Sequence, residues 1–155
     1  MVGGYYLNNE LTDFSFSPSG RDGRPVANRV EGGKRPRSSM APTLVYDSQG
    51  QLLIAVGAAG GATIPVQVAR ALIGVLDFGL PLEQAIALPM LFAPGDALTV
   101  EQGSALEAMI PQLEALGHAQ VGTRGLPLKT NGAHRTPSGW VGAADPRSEG
   151  ASIGE

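Results

Sequence analysis

Between residues 43 and 79 the chain reads TLVYDSQGQLLIAVGAAGGATIPVQVARALIGVLDFG. Residues 43–46 and 51–56 are β-rich runs joined by Asp47-Ser48-Gln49-Gly50, which predicts a hairpin. The second run is apolar nearly throughout, the pattern of a strand buried on both faces. Residues 57–65 then break the strand. Pro65 suits the first turn of a helix, where a missing N–H costs nothing, with Thr63 or Ile64 near the cap. That helix is expected to reach about Phe78. Val68, Leu72, Val75 and Leu76 recur on one face, and Ala69, Ala71 and Gly74 permit close packing. Gly79 is its stop.

The same reading extends outward in both directions. A short helix is expected over residues 83–88, between Pro81 and Pro89. ALTVE (97–101) reads as a strand. Ser104 and Glu107 have the spacing of a capping box and open a helix with Leu106, Ile110, Leu113 and Leu116 on its core face. Pro111 falls inside that helix as a potential kink, and Gly117 ends it. AQVGT (119–123) is a weak strand, residues 124–137 read as loop, GWVGAA (139–144) as a last strand, and ADPRSEG (144–150) as a polar tail. On the N-terminal side, residues 11–37 are rich in Gly, Pro, Ser and charge with few apolar anchors. Long loops of this kind inside compact domains are usually functional or disordered. GGYYLNNE (3–10) runs from strand to turn with nothing before it to pair with, as a short edge strand or the start of a fragment would. The fold class is α+β. A loop region over 1–37 precedes a strand-and-helix core over 38–155.

Composition narrows the function classes. Among 155 residues 43% are hydrophobic, with 22 glycines and 12 prolines, about twice the ordinary combined usage of those two. A core is expected, with much turn and loop around it. A net charge of −3 gives no reason to expect nucleic acid or an anionic membrane as partner. With no cysteine, disulfides and thiolate metal sites are excluded. No run reaches the roughly 18 apolar residues of a membrane span. His118 and His134 are 16 residues apart with no carboxylate at metal-binding spacing, so neither a metal nor a cofactor is expected.

Three stretches carry the residue types that chemistry needs. In NNELTDFS (8–15), Glu10 and Asp13 stand three apart in a turn. They can hold an ammonium group through charge-assisted hydrogen bonds, act as an acid/base pair, or simply solvate a turn capped by Asn8 or Asn9. In GKRPRSSMAP (33–42), Ser38 and Ser39 stand side by side. A nucleophilic serine needs an adjacent base, and no G-x-S-x-G elbow surrounds either. Paired hydroxyls on an extended segment suit a carboxylate clamp better, with an ordinary turn as the plain alternative. In GAAGG (57–61), glycines between a strand and a helix let two N–H groups aim at one point, as an oxyanion hole or anion nest requires. The alternative is a tight turn that needs small residues for packing. G-x-x-G-G is neither a dinucleotide fingerprint nor a P-loop.

Taken together, NNELTDFS, GKRPRSSMAPTLV, GAAGG before a helix, LDFGLPLEQAIALP, LEALGH and ADPRSEG resemble, in order and spacing, the C-terminal part of the small subunit of γ-glutamyltransferases (γ-glutamyl transpeptidases, glutathione hydrolases). The resemblance implies a portion of the four-layer α/β/β/α sandwich of N-terminal-nucleophile hydrolases. It implies an enzyme whose freed N-terminal threonine attacks a γ-glutamyl amide such as glutathione and passes the acyl group to water, amino acids or peptides. By the same resemblance, Glu10 and Asp13 hold the α-ammonium, Ser38 and Ser39 the α-carboxylate, and Gly60 and Gly61 supply oxyanion-hole N–H groups. The nucleophilic threonine would lie upstream of Asn8, outside these residues. The large subunit of the same precursor would be the partner, and the chain alone would be inactive. The family usually reads GSPGGS where this chain has Ala58, Ala59 and Ala62. The implied location is periplasmic or extracellular. Other readings of the same residues are a serine hydrolase using Ser38 or Ser39, an inactive homologue or glutamate-binding module, and a cephalosporin-acylase-like hydrolase.

Overall fold

The structure, a computed structural model, describes residues 3–4 and 7–154. The expected edge strand in GGYYLNNE falls partly on Tyr5 and Tyr6, outside the described residues. The chain divides into two compact units, Met1–Ser38 and Ser39–Glu155.

Among its described residues the first unit has one regular element, a 3-10 turn at Glu10–Asp13. None of its described residues is buried. Hydrogen bonds, not a core, hold its loops: isolated bridges join Ser15 to Arg29 and Ser19 to Pro25.

The second unit contains β1 (Thr43–Tyr46), β2 (Leu52–Ala59), α1 (Ile64–Leu76), α2 (Leu82–Ala87), β3 (Leu91–Phe92), β4 (Leu98–Glu101), α3 (Ile110–Ala115), β5 (Val121–Arg124), β6 (Lys129–Thr136) and β7 (Gly139–Ala144). An antiparallel sheet has the order β1-β2-β6-β7, and a second sheet the order β3-β4-β5. The β4–β5 pair is parallel, so a crossover is required, and α3 lies within it. Asp47 fixes the β1–β2 hairpin. Its Oδ1 accepts the Gln49 and Gln51 N–H groups, each at 2.9 Å, and its Oδ2 pairs with Arg135 of β6. Those bonds, the Gln51 N–H foremost, hold its carboxyl below the usual aspartate range.

One face of the larger sheet makes the main core. Ile54 and Val56 of β2 pack with Ile64, Val68, Ala71 and Val75 of α1 and with Leu82, Ala85 and Ile86 of α2. Ile54 and Ile86 are fully buried, each contributing about 2–3 kcal/mol through apolar transfer. The two helices meet at Gly74, where an added Cβ would come within 2.7 Å of the Ala85 Cβ. The smaller sheet packs Leu98 and Val100 against Leu113 of α3.

Six sequence expectations are corrected. β2 is buried at alternate residues, not on both faces, because Ile54 and Val56 lie on the side of the sheet that α1 and α2 cover. It also continues through Gly57, Ala58 and Ala59, which pair with Asn131, Thr130 and Lys129, so the break comes at Gly60. Residues 129–136 form a full strand instead of a loop. KTNGAHRT has no apolar alternation, and pairing with β2 and β7 on both sides overrides its weak strand propensity. The Ser104–Glu107 capping box does not form: Ser104 donates its hydroxyl to Glu101 O, and Glu107 Oε1 accepts from the Gly103 N–H. Pro111 then sits in the first turn of α3, after a 3-10 segment at Ala105–Met109, and kinks nothing. Finally, Leu76 and Leu116 are exposed, since both helices end there.

Candidate functional site

The glycine turn is built from β2, α1 and the start of β6. Gly60 has φ 136° and ψ 16°, and Gly61 has φ 61°. Side chains rarely adopt such backbone conformations. A Cβ on Gly60 would also collide with the Pro127 carbonyl oxygen and come within 2.6 Å of Thr63 Oγ1 and 2.9 Å of Gln67 Nε2. A Cβ on Gly61 would meet nothing within 4 Å. Neither the Gly60 nor the Gly61 N–H donates to a turn or loop carbonyl among the described residues. Two donors in a turn that precedes a 13-residue helix can receive an anionic oxygen.

Gln67, fully buried in the core-facing stripe of α1, locks that turn. Its Nε2 donates to Ala59 O at 3.0 Å, Thr63 Oγ1 at 2.8 Å and Pro127 O at 3.4 Å. Its Oε1 accepts from the Lys129 N–H at 2.8 Å and the Thr130 hydroxyl at 3.0 Å. From Thr130 the chain of bonds continues, because its carbonyl accepts the Asp145 N–H at 2.8 Å. Thr63, Gln67, Thr130 and Asp145 are the buried polar residues of the described chain, and one connected path joins them. No apolar period announces it, although a polar residue on the apolar face of α1 was a visible signal.

Asp145 then ties in the residues read from sequence as a polar tail. Its carboxylate accepts Arg147 Nε at 2.7 Å and Nη2 at 2.8 Å. Arg147 Nη1 reaches both carboxylate oxygens of Glu101, at 2.9 and 3.0 Å. Nη2 donates to Ile86 O at 2.7 Å. Arg70 donates to the same carbonyl at 2.9 Å and to Leu88 O. Two guanidinium groups therefore cap the C-terminal carbonyls of α2, where positive charge is favoured. Burial alone would raise the Asp145 carboxyl, but the Arg147 hydrogen bonds hold it below the ordinary value. Burial, helped by the Arg147 charge, lowers Arg70 to about 10.

The carboxylate pair sits on the 3-10 turn of the first unit. Asn8 Oδ1 accepts the Glu10 N–H at 3.0 Å, and Thr12 is bonded to Asn9 O through both its N–H and its hydroxyl. Glu10 Oε1 is shielded from solvent and has no hydrogen-bond partner among the described residues. An unpaired buried carboxylate oxygen is costly, and a cation would satisfy it. Ser38 is exposed and Ser39 half-buried, both outside any helix or strand. His118 and His134 lie on different structures, a turn after α3 and strand β6. Beside the end of β2 a cleft of about 380 Å³ is lined by Gly57, Ala58, Ala59, Lys129, Glu149 and Gly150, among others. Among the described residues no cluster of three metal-ligating side chains occurs, and no helix is long and apolar enough to cross a membrane.

The sequence profile of the Gamma-glutamyltranspeptidase family matches residues 1–155. The glutathione hydrolase proenzyme of Bacillus subtilis strain 168 is 30% identical over 97% of this chain and 25% of its own length. That of Escherichia coli K12 is 34% identical over 94% of this chain and 26% of its own. A solved gamma-glutamyltranspeptidase from Pseudomonas nitroreducens, complexed with L-DON, superposes with a TM-score of 0.75 at 28% identity. That match covers 99% of this chain and 83% of the solved one. The chain thus spans about a quarter of the length of the curated relatives it matches.

Proposed function

The chain belongs to the gamma-glutamyltranspeptidase family, an enzyme family of the N-terminal-nucleophile hydrolase fold, and from that premise we propose that it forms the substrate-binding and oxyanion-stabilising part of an enzyme that cleaves γ-glutamyl amides such as glutathione. The observation that carries this reading is the Gly60–Gly61 turn, with two N–H groups in positive-φ backbone and a buried glutamine holding the turn from behind. The hydroxyl of a threonine from a segment outside these 155 residues adds to the γ-carbonyl carbon. The carbonyl oxygen takes up the negative charge, and the Gly60 and Gly61 N–H groups receive it. Each such donor is worth about 3 kcal/mol of barrier. The tetrahedral intermediate collapses, the C–N bond breaks, and the amine leaves with the proton taken from the threonine. Water, an amino acid or a peptide then attacks the ester and frees the threonine.

The rest of the site reads the amino-acid head of the substrate. Glu10 and Asp13 receive the α-ammonium, and Glu10 Oε1, shielded from solvent and without a hydrogen-bond partner among the described residues, supports that role. Ser38 and Ser39 donate to the α-carboxylate. The large subunit of the same precursor completes the enzyme, as the proenzyme relatives suggest. Its place is periplasmic or extracellular, on the strength of the family resemblance.

The test uses the complete precursor containing these residues, incubated with γ-glutamyl-p-nitroanilide. It should release p-nitroaniline, and Ser38→Ala with Ser39→Ala together should lower kcat/KM on the order of 100-fold. Residues 1–155 alone should release none. Turnover by residues 1–155 alone, lost on changing Ser38 or Ser39, would make a serine the nucleophile and overturn the reading. Tight glutamate binding by a complete protein without turnover would make it a binding module instead.

A further inference from the structure

The first unit keeps its shape without a buried residue among those described, so its geometry depends on specific hydrogen bonds. Three of them belong to Asn28. Its Nδ2 donates to Asp13 O at 2.7 Å, its Oδ1 accepts the Arg37 N–H at 2.8 Å, and its own carbonyl accepts the Ser15 N–H at 2.8 Å. One side-chain amide therefore joins a residue 15 positions upstream to one 9 positions downstream. Asp13 closes the 3-10 turn that carries both carboxylates. Arg37 immediately precedes Ser38.

Asn28 is itself held in place. Lys34 Nζ donates to Ala27 O at 2.8 Å, and Arg29 Nη1 to Val26 O at 3.2 Å. Glu31 pairs with Arg29 at 2.7 Å and with Lys34 at 3.3 Å. The chain around residue 28 is thus braced on both sides. The side chain must offer a donor and an acceptor at the same short reach. Aspartate keeps the acceptor and loses the donor, glutamine moves both by one methylene, and alanine has neither.

We propose that Asn28 is a positioning residue that fixes the Glu10–Asp13 turn relative to Ser38, and so sets the spacing at which ammonium and carboxylate are read together. The inference rests on the proposed roles of Glu10, Asp13 and Ser38. A substrate carrying both head groups depends on that spacing, whereas one carrying a single group can shift to suit whichever subsite it uses.

The experiment compares three p-nitroanilides on the assembled enzyme. They are γ-glutamyl, with both groups; glutaryl, with the carboxylate alone; and 4-aminobutyryl, with the ammonium alone. Asn28→Ala should raise KM for the γ-glutamyl substrate on the order of 10-fold with kcat nearly kept. It should leave kcat/KM for the other two within about twofold. Asn28→Asp, nearly isosteric, should fold as the parent and lose part of the same discrimination. A parallel loss on all three substrates, or a parent-like KM in both variants, would overturn the proposal. If Asp13→Asn and Ser38→Ala leave discrimination among the three substrates unchanged while the parent enzyme turns over, the subsite roles fall and the inference falls with them. No γ-glutamyl turnover by the parent enzyme would sink the catalytic reading itself.

Discussion

At the residue scale, the two adjacent glycines are not equivalent. Gly60 combines a φ of 136° with a carbonyl, a hydroxyl and an amide crowding its Cβ position. Gly61 needs only its φ of 61°. Gly60→Ala should therefore cost on the order of 3 kcal/mol of stability and abolish turnover, whereas Gly61→Ala should cost about 1 kcal/mol. Urea midpoints of the two variants, measured side by side, check the ordering. The sequence pointed to GAAGG as a strand-to-helix turn, and that much was local chemistry. Which glycines are irreplaceable was not legible, because the atoms that crowd Gly60 include Pro127, 67 positions away. Asn28 was equally silent: nothing in RPVANRV separates a cross-linking asparagine from a solvated one.

At the scale of elements, α1 and β6 meet through Gln67. Replacing it by leucine keeps the volume and removes every hydrogen bond that the amide makes. The Thr130 hydroxyl would then stand buried without its partner, and the Lys129 N–H would lose its acceptor. Gln67→Leu should cost about 2–4 kcal/mol in the folded protein, read as a lower denaturant midpoint at unchanged slope. It should also lower kcat more than it raises KM, because the turn it holds meets charge that develops during reaction. The helices α1 and α2 and the β1–β2 hairpin were readable from their Pro, Gly and apolar spacing. β6 was not, since its strand character comes from neighbours on both sides and its own residues are mostly polar.

Across the second unit, the Asp145–Arg147–Glu101 network joins the end of β7 to α2 and to β4 of the smaller sheet. The Asp145 carboxyl lies below its ordinary value in the fold. Its stabilisation is therefore fully present above about pH 4, the range of a free aspartate, and is lost as pH falls through the lowered value. Asp145→Asn should lower the melting temperature at pH 7, leaving Arg147 with less charge compensation at a cost of about 3 kcal/mol. It should also flatten the loss of stability below about pH 4, which thermal melts across acid pH would show.

Local chemistry was enough to specify the α+β class, the hairpin, the glycine turn and a family resemblance in motifs spread over the whole chain. Turn residues, capping prolines and apolar periods act over a few positions, so they survive in a single sequence read alone. The tertiary structure alone chose β6 as an inner strand, turned the DPR segment into an ionic anchor centred on the buried Asp145, and made Gln67 and Asn28 cross-links. Each of those roles depends on partners remote in sequence, such as Arg37 for Asn28, Thr130 for Gln67, Ile86 for Arg147 and Ile54 for β6, and a partner's identity is not encoded in the residue that needs it.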